Sequence, residues 1–247
     1  MKILLIGDSC YDIYRYGNVN RISPEAPIPV FDYTHEEVKK GMASNVHENL
    51  QALGAQVHIV TEFIEEKIRY VDKKSGHQLL RVDQKIGKGS YSDTNHIPYE
   101  KYDAIVISDY GKGFFDRRDY ETIRGNFDGP IFIDTKDTYL DFYEGAIVKI
   151  NQHEYEKSDK GFRLENLIVT YGGEKVTWQD KTFYPPKVDA HDVCGAGDTF
   201  LSALAFEYIR KNSLEDAIEF AMKASAITVQ HVGVYAPNIK EIDDDKT

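Results

Sequence analysis

The chain has 247 residues, of which 41% are hydrophobic, and a formal net charge of −11. That length holds one large core in one or two domains, and ordinary Gly and Pro contents without repeats mark a soluble globular protein. The acidic balance excludes a protein that grips nucleic acid by neutralising phosphates, which needs a cationic surface.

KILLIG (2–7) is a continuous apolar run, the pattern of a strand covered on both faces of a parallel sheet. It is too short for a secretory apolar segment, and no later run approaches membrane-spanning length, so neither a targeting signal nor a membrane partner is expected. APIPVFDYT (26–34) and KIRYVDKKSGHQLLRVDQ (67–84) are rich in β-formers, with KKSG as a hairpin turn. They read either as a small antiparallel subdomain or as two ordinary surface hairpins. NVHENLQALGA (45–55) sets Val46, Leu50 and Leu53 on one helical stripe and stops at Gly54.

QVHIV (56–60), DAIVIS (103–108), PIFID (130–134), GAIVKI (145–150) and NLIVTY (166–171) predict further core strands, and FLSALAFEYIR (200–210) repeats apolar residues at helical spacing. The alternation predicts an α/β fold with a mostly parallel sheet flanked by helices. EIDDDKT, at the end, reads as a solvated tail. Two cysteines, Cys10 and Cys194, suit neither a disulfide framework nor a zinc site, and a reducing cytoplasm is the simplest setting.

DVCGAGDTF (192–200) carries the sharpest chemistry. The start of a helix offers unpaired N–H groups to an anion, and Gly195, Ala196 and Gly197 leave the approach open. Asp198, one residue further, is placed to take a proton from a hydroxyl during phosphoryl transfer. The bland alternative is a carboxylate that complements the helix dipole. Asn151 and Glu154, three apart after a strand, fit either a hydrated Mg2+ or a helix cap. Thr170, Gly172 and Gly173 end a strand in a turn that either passes beneath phosphates or closes a hairpin. Asp8 and Asp12 after the first strand, with Gly41 and Asn45 at a helix start, supply acceptors for sugar hydroxyls or serve as turn and cap residues.

In their order, GDSCYD, GMASNV, INQHEYE, VTYGGE and DVCGAGDTF resemble the ribokinase-type (PfkB) carbohydrate kinases over nearly the whole chain. NRISPEAPIPV (20–30), SDYGKG (108–113) and IDTKDT (133–138) are similar to segments of the heptose 7-phosphate kinase subgroup. The resemblance implies a single ribokinase-like kinase domain over 1–247. The pieces 26–34 and 67–84 would form a β lid that covers the sugar and clasps a second subunit in a homodimer.

It implies further that Asp198 is the base and that the N–H groups of Gly195, Ala196 and Gly197 form the anion hole. Asn151 and Glu154 would organise Mg2+ through water, while Thr170, Gly172 and Gly173 border ATP. Asp12, Gly41 and Asn45 match positions that touch the sugar. Asp8, Arg21, Lys112 and Lys136 lie in subgroup motifs and would contact sugar or phosphate, and a monovalent cation would sit near Asp192. The implied reaction is transfer of the ATP γ-phosphoryl to O1 of D-glycero-D-manno-heptose 7-phosphate in the cytoplasm. The alternatives are a PfkB kinase of another sugar or nucleoside, or an idle sugar-phosphate or nucleotide-binding protein.

Three departures stand out. After VHIVTEF the family continues with a turn, a helix and a strand, whereas IEEKIRYV follows here at once, so one βαβ unit is missing. Cys194 replaces a threonine and is either a reactive thiol or a small buried filler. Met222 stands where relatives often carry a polar residue beside the adenine. No nucleotidyltransferase segment of the kind often fused to this kinase is legible, so no second activity is expected.

Overall fold

β1 (Lys2–Ile22) begins where KILLIG predicts but continues for 21 residues. A computed structural model describes residues 1–87, 96–159 and 165–244. The next strands are β2 (Pro29–Met42), β3 (Gln56–Asp72), β4 (Gln78–Lys85), β5 (Ala104–Asp109) and β6 (Ile131–Thr135). They are followed by β7 (Ile147–Asn151), β8 (Leu167–Thr170), β9 (Val176–Trp178) and β10 (Lys181–Phe183). All belong to one sheet, in the order β10-β9-β8-β7-β6-β5-β1-β3-β4, with β2 added on β1. From β8 through to β3 every neighbouring pair is parallel.

The helices are α1 (Ala43–Ala52), α2 (Arg117–Asn126), α3 (Gln152–Lys157), α4 (Ala196–Lys211), α5 (Leu214–Thr228) and α6 (Ile239–Asp244). Period-two alternation divides the strands between two cores. Ile3, Leu5, Val106 and Phe132 pack with α1, α4 and α5, through Val46, Leu50, Leu201 and Ala221. Leu4, Ile6, Ile105 and Ile107 pack on the other face with Tyr120 and Ile123 of α2. Each fully buried aliphatic side chain contributes about 1.5–3 kcal/mol, so both faces must be covered and the strands read as unbroken apolar runs.

Past Ser9, β1 leaves the doubly covered sheet. It pairs antiparallel with β2 and stays parallel to β3, which carries β4 as a hairpin partner. These strands form a layer projecting beyond the core. The segments expected at 26–34 and 67–84 are therefore β2, which starts later and runs longer, and the β3–β4 hairpin. Residues 23–28 close a tight turn instead of starting the strand, with Ser23 N–H bonded to Ile28 O. KKSG is the hairpin turn, held by Asp72, whose carboxylate accepts from the Ser75 N–H and hydroxyl.

The region where the sequence resemblance implies a missing βαβ unit has a distinct local structure. β3 passes from core to projecting layer through a bulge, since Ser9 pairs with Phe63 but Cys10 with Glu65, leaving Ile64 extra. The Ile64 carbonyl accepts the N–H groups of Ile86 and Gly87. Among the described residues no helix lies between β3 and β4, and β3 ends the parallel part of the sheet.

The expected solvated tail is corrected over 241–244. Those residues belong to α6, and Ile242 is buried against the core; residues 245–247 lie outside the described residues. Among the described residues no helix is long and apolar enough to cross a membrane.

Candidate active site

The carboxyl ends of β5, β6, β7 and β8, with the middle of β1, converge on the first turn of α4, around the switch point where β1 has β3 on one side and β5 on the other. α2, α3 and α5 each start at a capping side chain, Asp116, Asn151 and Ser213. α4 starts at Gly195 without one, so its first-turn N–H groups lack a side-chain acceptor. Gly195 adopts φ 78°, and a Cβ there would lie 2.8 Å from Asn45 Nδ2. Only glycine serves both demands. The Ala196 N–H turns toward Val193 O at 3.3 Å.

Asp198 is buried. Asn45 Nδ2 donates to its Oδ2 at 2.8 Å, and the Tyr110 hydroxyl donates to its Oδ1 at 2.7 Å. Burial pushes its carboxyl up to about 6 against the lowering effect of those two bonds, and nearby Asp134 adds to the rise. A carboxylate poised there is ionised at neutral pH yet basic enough to accept a proton.

Behind Gly197 lies a buried ion pair, in which Lys149 Nζ donates to Asp134 Oδ2 at 2.6 Å. A Cβ on Gly197 would come within 3.1 Å of that ammonium. Lys136 reaches Glu154 and approaches Asp134 at 3.9 Å.

Asn151 and Glu154 form a reciprocal capping box on α3. The Glu154 N–H donates to Asn151 Oδ1 at 2.9 Å, and the Asn151 N–H to Glu154 Oε2 at 2.8 Å. The cap reading is thus realised, with Asn151 lining a cleft and the buried Glu154 carboxylate held by the Asn151 N–H on Oε2 and by Lys136 on Oε1. A hydrated Mg2+, which keeps its waters and takes few carboxylates, fits that donor set. Among the described residues no group of three or more acidic, His or Cys side chains is gathered for direct coordination.

The cleft, of about 320 Å³, is lined by Asn151, Thr170, Gly172, Gly173, Ala196 and Gly197 on its polar side. Val176, Phe200, Met222, Ala226 and Val229 form its apolar side. The Gly172–Gly173 turn joins β8 to antiparallel β9, so the hairpin reading of VTYGGE is realised, and the same turn lines the cleft.

On the other side of Asp198 the projecting layer begins. Asp12 is tied to Arg69 of β3, and a Cβ on Gly41 would clash with Asp12 Oδ2 at 2.4 Å. Lys67 and Lys112 both pair with Glu65, at 3.2 and 2.8 Å. Asn45 thus contacts Asp198, Gly41 packs against Asp12, Lys112 lies with Lys67 on Glu65, and Lys136 lies beside the cleft.

Two residues singled out from the sequence go elsewhere. Asp8 is fully buried and accepts the N–H groups of Tyr110, Lys112 and Phe114, so it holds the loop after β5 instead of facing a ligand. Arg21 sits at the exposed far end of β1, nine residues beyond Asp12, or roughly 30 Å at strand rise. Near Asp192, each carboxylate oxygen accepts a backbone N–H, from Cys194 and Gly233. The Cys194 thiol is pushed up by burial and by Asp12 and Asp192, which favours the filler reading over a reactive thiol.

The sequence motifs assign no role to Tyr110, Arg69, Lys149 and Asp134, although SDYGKG and IDTKDT contain the first and the last. A signal existed for the last two, because GAIVKI and PIFID each set one charge in an apolar strand, and buried charges are kept paired.

Residues 144–241 match the family model described as pfkB family carbohydrate kinase. The chain is 29% identical over 297 aligned positions to the bifunctional protein HldE of Nitratiruptor sp., covering 98% of this chain and 64% of that protein. It is 30% identical to the bifunctional protein HldE of Photobacterium profundum, with 94% and 60% covered. The chain thus spans less than two thirds of the length of these curated relatives. The first alignment is longer than the chain itself, so that relative carries residues with no counterpart here, in keeping with the shortened sheet.

Among solved structures, ribokinase from Arabidopsis thaliana complexed with ribose and ATP superposes with a TM-score of 0.70 at 15% identity, covering 98% of this chain and 97% of that one. Phosphofructokinase-2 from Escherichia coli in complex with potassium superposes at 0.71 and 14%, covering 98% and 96%. These two likenesses establish the ribokinase-like fold.

Proposed function

We propose that this chain, a PfkB carbohydrate kinase by its matched segment and ribokinase-like in fold, transfers the γ-phosphoryl of ATP to O1 of D-glycero-D-manno-heptose 7-phosphate. The observation that carries the reading is the buried Asp198 at the uncapped start of α4, between the cleft and the projecting β layer.

Asp198 takes the proton of the acceptor hydroxyl, whose oxygen bonds to the γ-phosphorus while the bond to the β-phosphate oxygen breaks and ADP leaves. The N–H groups of Gly195 and Gly197 would face the charge on the transferred group, that of Ala196 would join them on leaving Val193 O, and Lys149 lies close behind Gly197. Thr170, Gly172 and Gly173 border the triphosphate, and Met222 with Val176 and Val229 encloses the base. Glu154 and Asn151 would hold a hydrated Mg2+, which when bound neutralises phosphate charge. A monovalent cation near Asp192 belongs to the same reading.

Asp12, Gly41 and Asn45 would meet the sugar. Lys67, Arg69 and Lys112 on the acceptor side are paired with Glu65 and Asp12, and the cluster's surplus of cations over carboxylates favours an acceptor that is itself anionic. The likeness of NRISPEAPIPV, SDYGKG and IDTKDT to the heptose 7-phosphate kinase subgroup supports the heptose. Free cysteines are in keeping with a cytoplasmic setting. The projecting layer serves as the lid that keeps water from the γ-phosphoryl.

ADP release with Mg-ATP over a panel of sugar phosphates and nucleosides tests the reading. Turnover confined to the heptose phosphate is the expected result. Turnover on another acceptor would reassign the substrate, and binding of ATP or heptose phosphate without any turnover would favour the idle binding protein.

The layer also carries exposed Ile22, Ile28, Tyr33, Val38 and Leu80, each more than half accessible. A second copy of the chain covering them is proposed as a homodimer. Light scattering is expected to give twice the mass of one chain, and a monomer mass at assay concentration would remove the dimer.

A further inference from the structure

Tyr110 follows β5 directly and is pinned through its backbone, since its N–H donates to Asp8 Oδ2 at 2.7 Å. Its hydroxyl donates to Asp198 Oδ1. Its ring lies 5.1 Å from Lys136 Nζ, at the cleft, and 5.8 Å from Lys67 Nζ, which reaches down from β3. The residue therefore stands between the two compartments and touches the candidate base from within that wall.

Resting on the reading of Asp198 as the base, we propose that Tyr110 is a positioning residue of the transfer. Its phenol fixes the rotation of the Asp198 carboxylate, and its ring forms the wall between acceptor and nucleotide.

A carboxylate with one donor can swing about its Cβ–Cγ bond, whereas donors on both oxygens, Tyr110 and Asn45, hold its plane and leave each oxygen a lone pair for the acceptor proton. Asn45 is anchored in turn, because Asn49 Nδ2 donates to its carbonyl oxygens. The phenol stays a donor at every working pH. Burial foremost, then Asp198, Asp134 and Cys10, pushes its ionisation well above the ordinary tyrosine range. The charged and titratable groups around Asp198 are Asp134, Lys149, Lys136 and Cys194. None of them replaces the neutral, fixed donor that Tyr110 supplies.

Tyr110→Phe removes the hydroxyl and keeps the ring. With the donor gone the ionised carboxylate loses a bond that favours it, so Asp198 holds its proton to higher pH. The acid limb of kcat/KM is expected to move up by roughly one pH unit. A fall in kcat of about tenfold or more should accompany it, with the KM for ATP unchanged. Carbon-13 NMR titration of the labelled Asp198 carboxyl, in wild type and variant of equal thermal stability, reads the same shift without turnover. A chain that lacks kinase activity but shows the carboxyl shift would refute the kinase reading and leave the positioning contact standing. An unmoved carboxyl titration, with or without a drop in kcat, would reduce Tyr110 to a packing residue and overturn the proposal.

Discussion

Asp198→Asn is expected to cut turnover by about 10²–10⁴-fold, the range of a lost general base, while ATP binding persists. The same change should make the protein more stable at neutral and alkaline pH. Burial raises the folded-state carboxyl from 3.8 to about 6, so the native state binds this proton more tightly than the unfolded chain does. The stability it contributes is therefore complete below the unfolded value and lost as pH rises through about 6.

At about pH 8 the ionised, desolvated carboxylate costs up to roughly 3 kcal/mol, a cost the amide does not carry. Urea unfolding at about pH 8 should show the variant ahead of wild type, and the gap should close near pH 4. In wild type the acid limb of activity should lie near the same value of about 6. Full turnover in the variant would remove Asp198 from the chemistry, and a gap that stays constant with pH would refute the desolvation account.

The second large effect is on stability. Lys149 and Asp134 are 3% and 6% exposed and meet at 2.6 Å. Lys149→Met strands a carboxylate whose next cation, Lys136, is 3.9 Å away and also bound to Glu154. Breaking one side of a buried pair costs roughly 3–5 kcal/mol, whereas removing both partners together often costs little. The single variant should unfold at markedly lower urea, and adding Asp134→Asn should recover much of the loss. A single variant as stable as wild type would show that water already shares the pair.

The parallel sheet was legible because doubly buried strands have to be apolar without interruption, which KILLIG and DAIVIS display. The uncapped start of α4 at Gly195 and the buried Asp198 behind it were legible because a helix start left open needs small residues in sequence order. The lengths of β1 and β3 were not. Past Ser9 one face of each strand meets side chains of the projecting layer, so the apolar run gives way to mixed residues such as YDIYRYGNV, which carries no clear period. Tyr110 was also hidden. Its role comes from contacts with Asp198 and Lys67, 88 and 43 positions away, and no local pattern records such distances. Asp8 was misplaced for the opposite reason, since a carboxylate after a strand looks the same whether it faces a ligand or ties down the next loop.

β1 and β3 run unbroken from the heart of the sheet into the projecting layer, joined to each other by hydrogen bonds from Lys2 to Gly17 apart from one bulge at Ile64. A cover mounted on loops swings open, but one mounted on paired strands is a leaf spring clamped in the core. Its tip moves by bending and twisting of the whole blade about the soft point that Ile64 provides, against a restoring force that grows with displacement. Ligands would then enter by sliding in along the blade's edge, and a contact made at Asp12 would load the same strand whose Asp8 holds the Tyr110 N–H.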